Sequence, residues 1–356
     1  MYEKSRYAVV LAGGVGKRFW PLSRRKQPKQ CLGVDGHDSL VQTTVQRLAP
    51  VFGPQNIIVV TGTEMEASIR KQLPTIPAKN FLVEPRPRNT AASVGWATTE
   101  VIKRAGSEAV ICVSPSDHRL TRVQAFQDSL EASLRFVDER GGFVTLGIKP
   151  KAANTGFGYI QVGDQCSDVG GAMFFAARGF TEKPSLQQAQ RYVSNGGYLW
   201  NSGTVICTAG AMWSSFEEHL PRSALALSRI SESPNRLLDV WPEVDAISLD
   251  YGIMERVQPM FVLKADFGWT DVGTWSAFAE LMPDRAGGKA VAVDVIAIDA
   301  RNPVVYSPDK LVAVLGLDDV VVVDTKDALL VMAKNRSQEV DAVVAELERR
   351  ALNDYT

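Results

Sequence analysis

The sequence lacks a charge bias. Its 39 Lys and Arg stand against 40 Asp and Glu, a net charge of -1. That balance excludes bulk attraction to nucleic acid or to an anionic membrane surface, so phosphate binding must come from local arrangement. No apolar stretch approaches the ~18 residues that a membrane-spanning helix needs. The opening MYEKSRYAVVLAGG has too short an apolar run for a secretory signal. Histidine is scarce: His37, His118 and His219 are the whole supply. Two of them, His37 and His219, sit in no recognisable context, so no histidine triad is available. The four cysteines, Cys31, Cys112, Cys166 and Cys207, are far apart and show no paired metal-binding spacing. They read as reduced, buried thiols, and the expected location is cytoplasmic.

What is present is a chain of 356 residues with 45% hydrophobic content, enough for one large domain and an appendage. Short apolar runs recur at Tyr7–Leu11, Ile57–Val60, Phe81–Val83, Ala109–Val113 and Phe143–Leu146. Between them lie helical patterns, the clearest placing Val123, Phe126, Leu130, Leu134 and Val137 on one face. Buried strands alternating with helices predict an α/β fold of Rossmann-like type, with a mixed, mostly parallel sheet flanked by helices. From about Gly156 to Cys207 the pattern turns antiparallel. Pro283–Gly288 reads as a linker. Residues 289–333 read as a small all-β, β-helix-like appendage, followed by a helix starting near Ser337 with Val340, Val343, Val344 and Leu347 on one face. The expected division is 1–283 and 284–356.

In such sheets ligands gather beyond the carboxyl ends of the strands. The segments there are LAGGVGKRFWPLSR, EPRPRNTAAS, SPSDH, FTEKP and FGWTDVGTW, all rich in Gly, Pro, charge or amide. The first holds Leu11, Ala12, Gly13, Gly14 and Gly16, a turn whose N–H groups can face phosphate. It is no P-loop: Arg18 follows Gly16-Lys17, and Leu11 stands where the first glycine belongs. It is no dinucleotide fingerprint either, because Phe19 takes the third glycine's place. Arg18, Arg24, Arg25, Lys26 and Lys29 crowd the proline-punctuated loop behind it, a supply of cations suited to a polyphosphate.

Asp117 and Asp271 each lie just past a strand, where a fold can bring them together. Two carboxylates with phosphate oxygens suit Mg2+, although a lone Asp there also serves as a cap or turn former. His118 needs no role as a base if the nucleophile is an ionised phosphate. Glu182 and Lys183 stand side by side before Pro184, either as a functional pair or as surface charges. Asn89 and Thr90 suit base or ribose as well as they suit a helix cap. Asp250 likewise has an N-cap reading.

The motifs LAGGVGKRFWPLSRRKQPKQ, EPRPRNTAAS, SPSDH, TGFGYI, FTEKP, WNSG, LDYGIME and WTDVGTW together resemble those of mannose-1-phosphate guanylyltransferases. The resemblance covers about residues 6–282 and, more weakly, the remainder. Departures are small: Phe19 for the usual Leu, Cys31 for Phe and Ser116 for Ala. The resemblance implies that GTP and mannose 1-phosphate are the substrates and that Asp117 and Asp271 hold the metal. It implies that Glu182 and Asn201 bind the sugar, with Gly158 and Asp250 beside it, and that Lys183 contacts the sugar phosphate. Arg18 and Lys29 then offset charge on the departing pyrophosphate. Guanine preference rests on this resemblance alone. A sister enzyme for another sugar or base stays open, as does a silent paralogue, although the latter usually lacks one of Arg18, Lys29, Asp117 or Asp271. The expectation is a single activity without an isomerase domain, and possible homodimers.

Overall fold

The structure, a computed structural model, describes residues 4–33, 38–285 and 287–356; His37 lies outside them. The main sheet has nine strands. These are β1 (Arg6–Leu11), β2 (Ile57–Gly62), β3 (Phe81–Glu84), β4 (Val110–Pro115), β6 (Phe143–Ile148), β7 (Tyr159–Val169), β8 (Ala172–Thr181), β9 (Tyr198–Thr208) and β10 (Met260–Ala265). Two short strands, β5 (His118–Leu120) and β11 (Trp269–Asp271), pair apart from it. The order across the large sheet is β3-β2-β1-β4-β9-β6-β10-β8-β7. Every apolar run singled out in the first half is a strand. The β3-β2-β1-β4 block is parallel, as is β6 with β10, while β7, β8 and β9 run antiparallel to their neighbours.

Alternate residues of β1 feed two cores. Val9 joins the apolar faces of helices Asn89–Ala105, Ala209–His219 and Pro221–Glu232. Ala8 and Val10 join those of helices Leu40–Phe52 and Val123–Arg140. In the latter helix Phe126, Leu130, Leu134 and Val137 are buried, whereas Val123, at its first turn, is exposed. Each fully buried Val, Leu or Phe contributes about 1.5–3 kcal/mol, so the centre of the sheet is rigid and its carboxyl-end loops hang from a fixed frame.

The appendage is a five-stranded sheet of β12 (Asp284–Arg285), β13 (Gly288–Ile298), β14 (Val304–Leu315), β15 (Val320–Asp324) and β16 (Leu329–Ala333). The stretch expected to be a linker is itself paired: Asp284 faces Lys289 and Arg285 faces Gly288. The last long helix, Val340–Arg349, begins a few residues later than expected and buries Val340 and Val344. A third core runs from this appendage into the main domain. Val304, Val321, Val323, Val340 and Val344 pack in one cluster with Phe19, Trp20, Trp275 and Phe278. Phe19, the residue that breaks the dinucleotide pattern, is 1% exposed there.

Candidate active site

A cleft of about 590 Å³ opens beyond β1, β3 and β4. Of the expected nucleotide residues, Leu11, Gly13, Gly14, Gly16, Asn89 and Thr90 line it, as do Arg18, Lys29, Asp117 and Asp271. Ala12 stands behind the wall. Its N–H donates to the Val60 carbonyl, and its own carbonyl accepts from Gln30 Nε2 at 2.8 Å and Thr61 Oγ1 at 3.1 Å. Gly16 has a φ of 73°, and a Cβ there would meet Lys29 Cβ at 2.4 Å. Glycine is therefore required both for the turn and for Lys29 to cross the loop. The Lys29 N–H, donating to the Val15 carbonyl, fixes that crossing.

The basic run divides in a way its spacing does not reveal. Arg18 and Lys29 face the cleft. Lys17 and Arg25 both pair with Glu348 at 3.0 Å, and Arg24 pairs with Asp327 at 3.1 Å. Those partners belong to the appendage, so Arg24 and Arg25 are spent away from the cleft.

The acids are brought together by strand pairing. In the antiparallel β5–β11 ladder Asp271 lies opposite His118, next to Asp117. Lys29 Nζ stands between the carboxylates, 2.9 Å from Asp117 Oδ2 and 3.8 Å from Asp271 Oδ1. Withdrawal from water alone would raise the Asp117 carboxyl. The Lys29 ammonium, with His118 behind it, outweighs that and holds it well below the usual carboxylate range. His118 is pushed below its usual pKa, chiefly by burial. Its Nδ1 accepts from Trp269 Nε1 at 3.2 Å, so the proton of the neutral ring sits on Nε2, toward the acids. It braces the site rather than serving as a base. An all-oxygen pair that already draws in an ammonium fits a hard divalent cation. Among the described residues no group of three or more His, Cys, Asp or Glu could hold a metal by itself, so the remaining ligands would be phosphate and water.

A second group gathers around β8 and β9. Lys183 has a φ of 46°, which breaks the strand alternation and lets its ammonium meet Glu182 at 3.1 Å. Gly158 makes room for Glu182: a Cβ there would meet Glu182 Oε2 at 2.6 Å. Asn201 donates from Nδ2 to Asp250 Oδ1 at 3.2 Å, and its Oδ1 accepts from Thr145 and from the Gly203 N–H. Burial, reinforced by Glu182, pushes the Asp250 carboxyl up to about 7. Gly158, Glu182, Lys183, Asn201 and Asp250 thus form one cluster. It adjoins the acids through Gly203, where a Cβ would meet Pro115 at 2.8 Å and His118 Cε1 at 3.5 Å.

Asn89 and Thr90 open a helix and line the cleft at once. Asn89 Oδ1 accepts from the Thr90 N–H at 2.8 Å, and Thr90 Oγ1 accepts from the Leu249 N–H at 2.8 Å. The second bond ties the cleft to the Asp250 segment. Other residues of the site were not singled out from the sequence. Glu84 lines the cleft yet is only 4% exposed. Ser93 Oγ donates to its Oε1 at 2.5 Å, and burial raises its pKa to about 7. Its position at the end of β3 was the available signal. Arg47 reaches from the first helix to donate to the His118 carbonyl at 3.0 Å, and nothing in its local sequence marks it.

A glycine turn, two converging acids and a charged amide-rich cluster at the strand ends describe an enzyme that acts on phosphate esters. The chain belongs to the nucleotidyl transferase family, which it matches over residues 7–287. Residues 293–347 match the MannoseP isomerase/GMP-like beta-helix domain. The Xanthan biosynthesis protein XanB of Xanthomonas campestris is 36% identical over 98% of this chain and 74% of that protein. A mannose-1-phosphate guanylyltransferase of Klebsiella pneumoniae is 33% identical over 98% of this chain and 75% of its own length. A Thermus thermophilus crystal structure described as a mannose-1-phosphate geranyltransferase superposes with a TM-score of 0.86 at 33% identity, covering 97% of this chain and 99% of that one. Nucleotidyl transferases of this kind generally use a divalent metal. No helix among the described residues is long and apolar enough to cross a membrane.

Proposed function

We propose that the protein transfers GMP from GTP to α-D-mannose 1-phosphate, giving GDP-mannose and pyrophosphate. The observation that carries the guanine half is Glu84. Its carboxylate is buried in the cleft wall, Oε1 is taken by Ser93, and Oε2 faces the glycine turn, 3.5 Å from where a Gly13 Cβ would stand. Guanine offers two adjacent donors, N1–H and the N2 amino group, to such an acceptor. Adenine offers an acceptor at N1 beside its N6 amino donor, which sets a lone pair against the carboxylate. The name of the Klebsiella relative supports the mannose half.

In this reading a phosphate oxygen of the sugar attacks the α-phosphorus of GTP in line with the departing pyrophosphate. No enzyme intermediate forms, and catalysis is positioning and charge neutralisation. Asp117 and Asp271 would hold Mg2+, which when bound neutralises charge on the reacting phosphates. The N–H groups of Gly13, Gly14 and Gly16 cradle the triphosphate, with Leu11 and Ala12 fixing the base of the turn through their bonds to Ser116 and Val60. Arg18 and Lys29 offset charge on the leaving group, Lys29 giving up its bridge between the acids to do so. Asn89 and Thr90 sit beside base and ribose. Lys183 orients the attacking phosphate, while Gly158, Glu182, Asn201 and Asp250 hold the sugar hydroxyls.

The test is pyrophosphate release with GTP, ATP, dTTP and UTP against mannose and glucose 1-phosphates. GTP with mannose 1-phosphate is the expected best pair. Glu84→Gln should narrow the GTP-over-ATP preference by roughly 10–100-fold. An unchanged ratio would remove Glu84 as the base reader. A better rate with another base or sugar would replace the substrate assignment.

A further inference from the structure

Of Arg18 and Lys29, the two loop cations that line the cleft among the described residues, Arg18 is the one with a neutral partner. Its Nη1 donates to Gln338 Oε1 at 2.5 Å, across the boundary to the appendage. The cations around it are treated differently. Lys17, Arg24 and Arg25 meet the carboxylates of Glu348 and Asp327. Lys29 meets Asp117. A carboxylate would hold a guanidinium just as well but would cancel the charge a phosphate needs. An amide carbonyl orients one N–H and leaves the charge and the other donors free.

Gln338 is exposed, but the chain on either side of it is tied down. Next to it, Ser337 Oγ lies 2.9 Å from Ser276 Oγ, and Ser276 Oγ also donates to the Lys334 carbonyl at 3.1 Å. On the other side Glu339 accepts from Arg336 Nε at 3.0 Å. The loop half of the contact is anchored too. Phe19 is buried against Trp275 and Phe278, and Trp20 Nε1 donates to the Tyr355 carbonyl at 2.8 Å. The chain beside each end of the Arg18–Gln338 bond, at Phe19 and at Val340, thus packs into the third core.

We propose that Gln338 is a positioning residue for nucleotidyl transfer: the appendage uses it to aim Arg18 at the triphosphate without neutralising it. This rests on the reading of Arg18 as a phosphate contact. In that role the appendage is part of the nucleotide site although, among the described residues, none of its side chains lines the cleft.

Full-length Gln338→Glu, Gln338→Ala, Arg18→Ala and the double variant Arg18→Ala/Gln338→Glu test it. Each is assayed for kcat and KM of GTP at saturating sugar phosphate, together with thermal unfolding. Gln338→Glu should unfold at the same temperature as the parent or higher, because it adds an ion pair. It should nevertheless lower kcat/KM for GTP by roughly tenfold, since the new carboxylate competes with phosphate for Arg18. Gln338→Ala should lower it by roughly threefold, the worth of one exposed orienting bond. In the Arg18→Ala background Gln338→Glu should have no further effect, the mark of two residues acting as a unit. If both Gln338 variants match the parent while Arg18→Ala is impaired, Gln338 is not a positioning residue and the Arg18 assignment stands. A Gln338→Glu loss that persists without Arg18 likewise overturns it. If Arg18→Ala itself turns over normally, the phosphate role of Arg18 fails and the proposal fails with it.

Discussion

At Gly16 backbone conformation, packing and chemistry coincide. The residue sits at a φ of 73° with the Lys29 side chain directly over it. Gly16→Ala adds one carbon in that space, with strain on top of the clash, so the Lys29 stem must shift and its ammonium loses the fixed crossing from which it reaches the acids and the leaving group. The expected result is a loss of at least tenfold in kcat, with stability lowered by about 1–3 kcal/mol. Steady-state kinetics and urea unfolding check it, and wild-type kcat would show that Lys29 needs no fixed crossing. Asp271→Asn tests the acid pair. The amide preserves shape but removes a charge from the proposed divalent site, so turnover should fall by at least 100-fold and require more Mg2+. A normal circular dichroism spectrum with normal turnover would remove Asp271 from the metal site.

At the scale of elements, the site is made by pairings between distant segments. The three-residue strands β5 and β11 carry little stability of their own, yet their register sets the acids side by side. The loop after β1 is likewise held by what packs beneath it. Phe19 touches Trp275 at 5.5 Å and Phe278 at 5.7 Å between ring centroids, within the core that includes Val321 and Val340 of the appendage. Phe19→Ala should cost about 3–5 kcal/mol, as for large-to-small changes at buried aromatics. It should also raise KM for GTP in the fraction that stays folded, because Arg18 is the preceding residue. Unfolding curves with kinetics at low temperature measure both. A stability loss with unchanged KM would uncouple the core from the nucleotide loop.

For the whole molecule, two buried carboxyls shape the response to pH. Glu84 and Asp250 are raised from 4.5 and 3.8 to about 7 each, mainly by burial. Without nucleotide the folded protein holds these protons toward neutral pH, whereas the unfolded chain releases them near 4; guanine's donors at Glu84 would favour the carboxylate and draw that proton off. Between those limits the folded state binds more protons, so this contribution to stability falls as pH rises and is fully lost above about 7. Glu84→Gln removes one such group. Without nucleotide it should be more stable than the parent near pH 8, by on the order of 1–3 kcal/mol, with the difference vanishing toward pH 4. Urea unfolding at both ends of that range checks the sign. A difference independent of pH would mean that Glu84 does not titrate this way.

The sequence by itself determined that phosphate chemistry would sit on loops at the ends of buried strands. Strand runs, glycine turns and proline-punctuated basic segments are set by near neighbours along the chain, and a single sequence shows those. It also exposed Asp117 and Asp271 as candidates, because each follows an apolar run. Only the tertiary structure decided which charges face the cleft. Lys17, Arg24 and Arg25 look equivalent to Arg18 in the sequence, but Glu348 and Asp327 lie more than 300 residues away along the chain and claim them. Arg47 was illegible for the same reason, while Glu84, marked by its place at the end of β3, showed neither its burial nor its bond from Ser93. Burial and tertiary partners give both their properties, and no local pattern encodes those.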